Sequence, residues 1–261
     1  MKNTIKAFLT LMMCFTGLSR AELFNDPGTN IGKKNLVVGI EYSSFLKEYE
    51  LDQTKEFPTS SERILLKVTA GLTDWFDIYL KGGGASLLLD YKENYTNVQK
   101  NYDSDMEAGV GAGARLRLLN FPNSMTRVFV QGGGFYYKTK DTIEWNYPDR
   151  TEITKREMKW ADYYVGLGIA KQIDFVDLTF GVGYSQIQWW MKDTIETHQG
   201  TAVSWEKKPW RDSFETKNPV FGFLGFDFVL PYAYRFSAQA GIRNLDEAEF
   251  NISLSQGLQK D

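Results

Sequence analysis

Polar and apolar residues alternate along many short segments of this chain, and residues 107–118 show the pattern most clearly. One set of alternate positions is small or charged: Glu107, Gly109, Gly111, Gly113, Arg115 and Arg117. The other set is apolar: Ala108, Val110, Ala112, Ala114, Leu116 and Leu118. A period of two residues is that of a β-strand, whose successive side chains point to opposite faces. The pattern therefore predicts strands with one apolar face and one face of small and charged residues.

Ten segments of this kind follow one another, each bounded by Gly, Pro, Asn or Asp. They are residues 35–50, 62–73, 76–91, 105–119, 127–140, 158–173, 177–191, 219–230, 234–243 and 247–258. A strand of ~9 to 11 residues crosses a membrane at a tilt. We therefore predict an all-β fold, an antiparallel up-and-down transmembrane β-barrel of about ten strands, with eight as the alternative count.

The connections between these segments are long and short in turn. Long polar connections follow the first, third, fifth and seventh strands, at residues 51–61, 92–104, 141–157 and 192–218. Short connections follow the even-numbered strands, at residues 73–75, 120–126, 174–176 and 231–233. This order is expected when one end of a barrel faces the outside of the cell and the other end faces the periplasm.

The alternation alone does not distinguish a membrane barrel from a water-soluble lipocalin-like barrel, whose apolar face points inward around a ligand. Two features favour the membrane barrel. Glycine and charge share one face, as expected of a narrow polar lumen in which small residues leave room for long Arg and Lys side chains. Aromatic residues also gather at the strand ends, which is typical of the two membrane interfaces. Near the short turns these are Trp75, Phe76, Phe121, Phe175 and Tyr232, and toward the long loops they are Trp145, Trp160, Tyr163, Trp189 and Trp190.

Three segments each combine a strand, a tight aromatic turn and a returning Gly-rich strand: residues 71–84, 170–185 and 228–243. They resemble the periplasmic hairpins of small bacterial outer-membrane β-barrels, the superfamily that holds the OmpA-like, opacity-type and omptin barrels. The resemblance covers essentially the whole chain after its first 21 residues. It implies a location in the outer membrane of a Gram-negative-type bacterium, in contact with outer-membrane lipid and lipopolysaccharide.

The first residues have the pattern of a secretory signal peptide. Lys2 and Lys6 precede an apolar stretch, and small residues precede a predicted cleavage site after Ala21. The barrel domain is then predicted to span residues 22–261. Cleavage removes the only cysteine and three basic residues, so the formal charge goes from −3 to about −6. An acidic mature chain is not a candidate nucleic-acid-binding protein.

Lys81 and the three glycines that follow it could suggest a phosphate-binding loop. Such loops join a strand to a helix, so that the helix N-terminus faces the anion. Residues 85–91 continue a strand pattern instead. We therefore interpret the glycines as part of a curved barrel wall.

Charged residues on the predicted inner face form the main candidate site. They are Lys67, Lys81, Arg115, Arg117, Arg235 and Arg243, with Glu107, Asp162, Asp227 and Glu249. Opposite signs are nearly matched, which favours paired charges that close the lumen, because unpaired charges removed from water are costly. A narrow conducting pore is the alternative, since ten strands enclose far less space than the ~16 strands of general porins.

Catalytic chemistry has one weak candidate, His198, the only histidine of the chain, in the longest loop. Asp193 and Glu196 lie near it in sequence, but omptin proteases and the lipid A acyl-chain enzymes combine a histidine with further catalytic residues. Asp103, Asp105 and Glu107 alternate onto one face, where they could pair with arginines or collect a cation. We assign no catalytic residue, cofactor or metal from the sequence.

The function predicted from the sequence is structural or surface-interacting, with the lumen closed by paired charges. The alternatives are a narrow channel for small solutes and, less favoured, a surface enzyme that uses His198. The long loops carry Trp205 and Trp210 among charged residues, and such residues are common interface anchors for an extracellular ligand or protein.

Overall fold

The computed structural model describes residues 33, 35–51, 55–92, 99–208, 211–214, 219–229, 234–242 and 248–258. These residues form fourteen strands and one short 3-10 helix at Pro122–Ser124. The strands are β1 (Leu36–Leu51), β2 (Lys55–Gly71), β3 (Phe76–Ala85), β4 (Leu88–Lys92), β5 (Gln99–Asp103), β6 (Glu107–Phe121), β7 (Thr126–Asn146), β8 (Thr151–Ile173), β9 (Val176–Gln199), β10 (Ala202–Lys207), β11 (Arg211–Phe214), β12 (Val220–Val229), β13 (Tyr234–Ile242) and β14 (Ala248–Leu258).

Ten of these strands close into a ring. Their order is β1-β2-β3-β6-β7-β8-β9-β12-β13-β14, and all pairs between neighbours are antiparallel. The ring closes because β1 pairs with β2 on one side and with β14 on the other, where Leu36 lies opposite Leu258. The prediction of an antiparallel barrel of about ten strands is therefore confirmed. The other four strands are additions at its outer end, where β4 pairs with β5, and where β10 and β11 pair with β9.

The long connections contain more strand than the sequence pattern predicted. Residues 141–157, predicted as a loop, are mostly the ends of β7 and β8, which pair from Asn146 opposite Thr151 inward. The turn between them is short, and the backbone N–H of Tyr147 donates to the carbonyl of Arg150 at 2.8 Å. The hairpin extends because alternation continues past residue 140, with Ile143 and Thr154 buried on one face.

The apolar face of the barrel points outward. Leu80 is 66% exposed and Leu224 is 64% exposed, although both are large and apolar. Similar exposed residues surround the ring: Leu66, Val110, Val165, Leu167, Phe180, Val182, Val220 and Ile242. A lipocalin-like barrel would bury these side chains, whereas a bilayer requires them outside. The barrel is therefore a transmembrane barrel.

Inward-facing glycines make room mainly for aromatic rings. A Cβ atom added at Gly113 or Gly133 would collide with the hydroxyl group of Tyr79, and one added at Gly109 would collide with the Phe135 ring. The sequence analysis expected these glycines to accommodate Arg and Lys side chains. Glycine is required here because the ring of ten strands is narrow and an aromatic side chain fills most of its width.

No helix among the described residues is long and apolar enough to cross a membrane. The predicted signal peptide and its cleavage site after Ala21 lie outside the described residues.

Replacing Gly113 by Ala should destabilise the barrel, because the added methyl group meets the Tyr79 ring and the Gly132 carbonyl. Overpacking of this kind costs about 1–3 kcal/mol. The measurement is the temperature at which the folded protein changes its mobility in a detergent gel, and we expect Gly113→Ala to lower it.

Gly82→Ala is the matched control, because a Cβ atom there meets no atom closer than the Gly109 carbonyl oxygen at 3.6 Å. This variant should keep the wild-type transition temperature. Equal transition temperatures for both variants would show that the contact with Tyr79 is not tight.

Candidate functional site

The outer part of the lumen is filled by an apolar cluster. Trp160 is only 1% exposed and stacks on Phe45, with ring centroids 6.0 Å apart. Two tyrosine hydroxyl groups in the cluster have partners, since Tyr102 donates to Thr139 at 2.7 Å and Tyr137 donates to Ser61 at 3.2 Å. The buried members are Phe45, Leu65, Ala85, Leu87, Tyr102, Phe135, Tyr137, Met158, Trp160 and Ile187.

The connection after β3 supplies two members of this cluster. Leu87 and Tyr102 are fully buried. Two hydrogen bonds connect Leu87 to Ser104. The Leu87 backbone N–H donates to the Ser104 hydroxyl at 2.9 Å, and the Ser104 N–H donates to the Leu87 carbonyl at 3.0 Å. The two ends of this connection, at Leu87 and Tyr102, therefore pack into the mouth of the barrel.

A carboxylate and two lysines form the first charged group inside the barrel. The Lys81 Nζ atom lies 3.1 Å from one Glu41 carboxylate oxygen, and the Lys67 Nζ atom lies 3.6 Å from the other. The three residues come from the neighbouring strands β1, β2 and β3, and each side chain is less than one-sixth exposed. Lys67 also lies over the Tyr79 ring, 4.7 Å from its centroid. One carboxylate thus neutralises part of the charge of two ammonium groups.

A second charged pair spans the lumen. Arg63 on β2 forms an ion pair with Asp162 on β8, and these strands are four positions apart in the ring of ten. The Arg63 guanidinium also lies 5.0 Å from the Phe45 ring centroid, 4.8 Å from that of Phe135 and 5.3 Å from that of Tyr137. Aromatic faces attract a cation, and most strongly where water is excluded. Arg63 therefore joins the charged layer to the apolar cluster above it.

The periplasmic end contains a third charged group. An Arg127 guanidinium nitrogen lies 2.7 Å from one Asp177 carboxylate oxygen, and an Arg235 nitrogen lies 3.8 Å from the other. Asp227 is fully buried and lies directly opposite Asp177 in the strand register. Phe129, Ala170 and Phe223 pack nearby as a small buried apolar cluster.

A polar cavity of about 120 Å³ lies in the lumen. Its walls carry both signs of charge, from Glu41 and Asp162 and from Lys67, Lys81 and Arg115. Two hydroxyl groups at its edge contact each other, those of Tyr79 and Tyr164, at 2.6 Å. The cavity is therefore small, and several of the charged and hydroxyl groups that line it contact one another.

The structure brings most of the predicted inner charges together. Buried or half-buried in the lumen are Lys67, Lys81, Arg115, Asp162, Asp227 and Arg235, and Glu249 lines the cavity. Glu107 is half-buried at the start of β6.

Arg117 differs from the prediction. A register irregularity follows it in β6, and its guanidinium donates to the carbonyl of Asp74 in the periplasmic turn. Arg117 therefore lies at the rim, outside the lumen. Arg243 lies outside the described residues.

The sequence analysis missed several buried charges: Glu41, Arg63, Asp77, Arg127 and Asp177. Each occupies the inward register of its strand. Glu41 alternates with Gly39 and Ser43, for example, so the same period of two residues contained the signal that could have identified it.

Two of the predicted interface aromatics point inward instead. Trp160 on β8 and Trp189 on β9 lie opposite each other at inward positions. Trp160 is a member of the apolar cluster, and Trp189 packs against this cluster. Tyr163 is exposed on the exterior, and Trp190 is half-buried there. At the periplasmic end Trp75, Phe121 and Phe175 are exposed, and Phe76 is half-buried. The Trp145 side chain and Tyr232 lie outside the described part of the chain.

The sequence analysis missed three outward phenylalanines at the periplasmic end, Phe226, Phe228 and Phe236, which lie beside the predicted Phe175. Phe228 lies 5.2 Å from Phe226 and 6.5 Å from Phe236, measured between ring centroids, and Phe175 lies 6.3 Å from Phe228. The even-numbered phenylalanines of β12 are the signal, because even positions of this strand face outward.

His198 lies at the outer end of β9, away from the lumen. Its Nε2 atom is 2.8 Å from a Glu196 carboxylate oxygen, and Lys155 lies 3.6 Å from the other oxygen. Among the residues that the structure describes, no group of three or more His, Cys, Asp or Glu side chains is arranged to hold a metal ion. The arrangement joins a mostly buried Glu196 carboxylate to the partly exposed side chains of His198 and Lys155 on a hairpin.

No protein-family model matches the sequence, and no curated protein matches it. Among solved structures, the chain is similar to the translocator domain of the autotransporter NalP from Neisseria meningitidis, with 10% identity, a TM-score of 0.47, and coverage of 89% of this chain and 91% of that chain. It is similar to the outer-membrane protease OmpT from Escherichia coli, with 10% identity, a TM-score of 0.44, and coverage of 85% and 94%. It is also similar to the outer-membrane protein OprG from Pseudomonas aeruginosa, with 10% identity, a TM-score of 0.40, and coverage of 90% and 100%. The closed ring of ten strands and the apolar exterior described above are those of an outer-membrane β-barrel.

Proposed function

We propose that this protein, exported by a signal peptide cleaved after Ala21, is a closed outer-membrane barrel with a structural or surface-interaction role. The observation that carries the proposal is the filling of the lumen. An apolar cluster around Trp160 fills the outer part, and charged groups around Glu41 and Asp177 occupy most of the rest, beside a polar cavity of only about 120 Å³. In such a molecule the barrel is the anchor, and the functional surface is its outer end.

The pairing of charges supports a closed lumen over a channel. Basic and acidic side chains in the described lumen are equal in number: Arg63, Lys67, Lys81, Arg115, Arg127 and Arg235 against Glu41, Asp77, Asp162, Asp177, Asp227 and Glu249. A pore for ions of one sign would be expected to carry an excess of the opposite charge. A passing solute would also have to separate buried ion pairs, which is costly in a low-dielectric interior.

The extended hairpins provide the surface for interaction. Every residue of β10 is exposed, including Trp205 at 58%. The Lys155 ammonium group lies 5.5 Å from the Trp205 ring centroid, which holds this aromatic side chain against β8. Aromatic residues presented on a rigid hairpin are suited to anchoring a partner outside the cell.

The closed lumen predicts an absence of regular conductance steps when the purified protein is inserted into planar bilayers. Insertion is verified separately, by the heat-dependent change in gel mobility of protein recovered from the same vesicles. The narrow-channel alternative predicts reproducible steps. If such steps occur and their ion selectivity changes in the Glu41→Gln variant, the pore runs through this lumen and the proposal is wrong.

Replacing Glu41 by Gln should destabilise the barrel, because Lys67 and Lys81 lose the carboxylate that both contact. Breaking a buried charge group in this way costs about 3–5 kcal/mol. The measurement is the gel transition temperature, with the exposed Glu206→Gln as the control of identical chemistry. A double variant, Glu41→Gln with Lys81→Met, should recover part of the loss. No difference between Glu41→Gln and Glu206→Gln would show that the pairs do not stabilise the lumen.

The enzyme hypothesis rests on one histidine and one partly buried carboxylate on an outer hairpin. We expect any hydrolytic or acyl-transfer activity found in the purified protein to persist in the His198→Ala variant at an unchanged rate. A loss of about 100-fold or more, the size expected for removal of a general base, would instead make His198 a catalytic residue.

A further inference from the structure

A group of lysines lies on the outward face of the barrel just beyond its apolar surface. We call Lys138, Lys140, Lys159 and Lys192 the lysine face. Lys138 on β7 lies directly opposite Lys159 on β8, and Glu157 on β8 lies between Lys140 on β7 and Lys192 on β9. All five side chains share one face, because paired residues of antiparallel strands point to the same side of the sheet.

The lysine face has a strong excess of positive charge. Its four lysines surround one carboxylate, that of Glu157, and the Lys138 Nζ atom lies 2.8 Å from it. The hydrogen bond from Lys138, together with the charges of Lys138, Lys140 and Lys192, holds the pKa of Glu157 below its ordinary value. Lys138 and Lys159 place like charges directly opposite each other, and the repulsion between such charges is reduced by an anion beside them. The arrangement therefore favours an anion at this surface.

The position of the lysine face identifies the level in the membrane at which this anion lies. Tyr136 precedes Lys138 by two residues on the same face, and Tyr163 on β8 follows Lys159 by four residues on that face; both tyrosines are 41% exposed. Outward tyrosines at the end of an apolar belt are typical of the membrane interface. Two residues of strand rise by about 7 Å, so the lysine amines stand at the level of the lipid headgroups.

We propose that the lysine face binds the phosphate groups of the glycolipid of the outer leaflet, lipopolysaccharide. The face borders lipid on its lower side, and its net charge is opposite to that of a phosphorylated headgroup. Lysine is a common phosphate ligand because its ammonium group is a compact charge with three donors. Trp190 lies opposite Lys159 in the register and supplies an aromatic surface next to the charges. The site lies outside the lumen, so this inference does not depend on whether the lumen is closed.

The test measures binding of diphosphorylated lipid A to the folded barrel in nanodiscs of a zwitterionic lipid, by native mass spectrometry. Wild-type protein should bind this lipid and should not bind lipid A from which both phosphates have been removed. A lysine near an anionic surface contributes about a fivefold change in affinity, so Lys140→Gln with Lys159→Gln should weaken binding about 25-fold.

Two control variants separate charge loss from misfolding. Lys33→Gln with Lys171→Gln removes the same charge from exposed positions at the periplasmic end and should leave the affinity unchanged. Lys140→Arg with Lys159→Arg keeps the charge and should retain binding. All variants must show the wild-type gel mobility before heating, so that weak binding cannot arise from unfolded protein.

Three outcomes would overturn the proposal. The first is equal affinity of the Lys140/Lys159 glutamine variant and the wild-type protein for lipid A. The second is equal binding of phosphorylated and dephosphorylated lipid A, which would mean that the acyl chains carry the affinity. The third is displacement of lipid A by inorganic phosphate at matched phosphate concentration, which would make the face a site for free phosphate.

Discussion

Every backbone N–H and C=O group within the hydrocarbon layer needs a hydrogen-bond partner in the protein, because lipid offers none. In this barrel the requirement is met by closing the ring, with β1 paired along Leu36–Leu46 to β14 and also to β2. Closure fixes which side chains face lipid and which face the lumen. The apolar exterior, the polar interior and the position of every charged pair follow from that one arrangement.

The narrow interior decides what the lumen can contain. Tyr79 and Phe135 fit only because the strands opposite them carry glycine. Charges that contact one another, such as Arg63 with Asp162 and Arg127 with Asp177, occupy much of the remaining space, and a polar cavity of about 120 Å³ lies among the charged side chains. The cost of removing these ions from water is offset only while their partners remain, so each charge depends on its partner.

The outer hairpins continue the period-two alternation of the barrel beyond the membrane. There the outward face contacts water and lipid headgroups, and most of its residues are polar. One face of β7, β8 and β9 still packs inward, with Thr139 and Met158 buried. The other face no longer meets lipid tails, and there lysines replace apolar residues. The same strands therefore present an apolar surface to the membrane core and a basic surface to the headgroup region.

The sequence alone determined the fold of this protein. Period-two alternation, turn residues and the order of long and short connections predict an antiparallel barrel of about ten strands, with eight as the alternative count, because these are local properties of the chain. The same register identified Lys67, Lys81 and Asp162 as inward charges, and it could have identified Glu41 and Arg63.

Only the tertiary structure decided which of these residues meet. Asp162 and Arg63 are distant in sequence and lie on strands that are not neighbours, so their contact depends on the curvature and stagger of the closed ring. The location of Trp160 was also not determined by the sequence pattern, because an aromatic residue near a strand end is compatible with either a membrane interface or a lumen. Its inward direction follows from the register of β8, and the register that buries Asp162 also buries Trp160 two residues away.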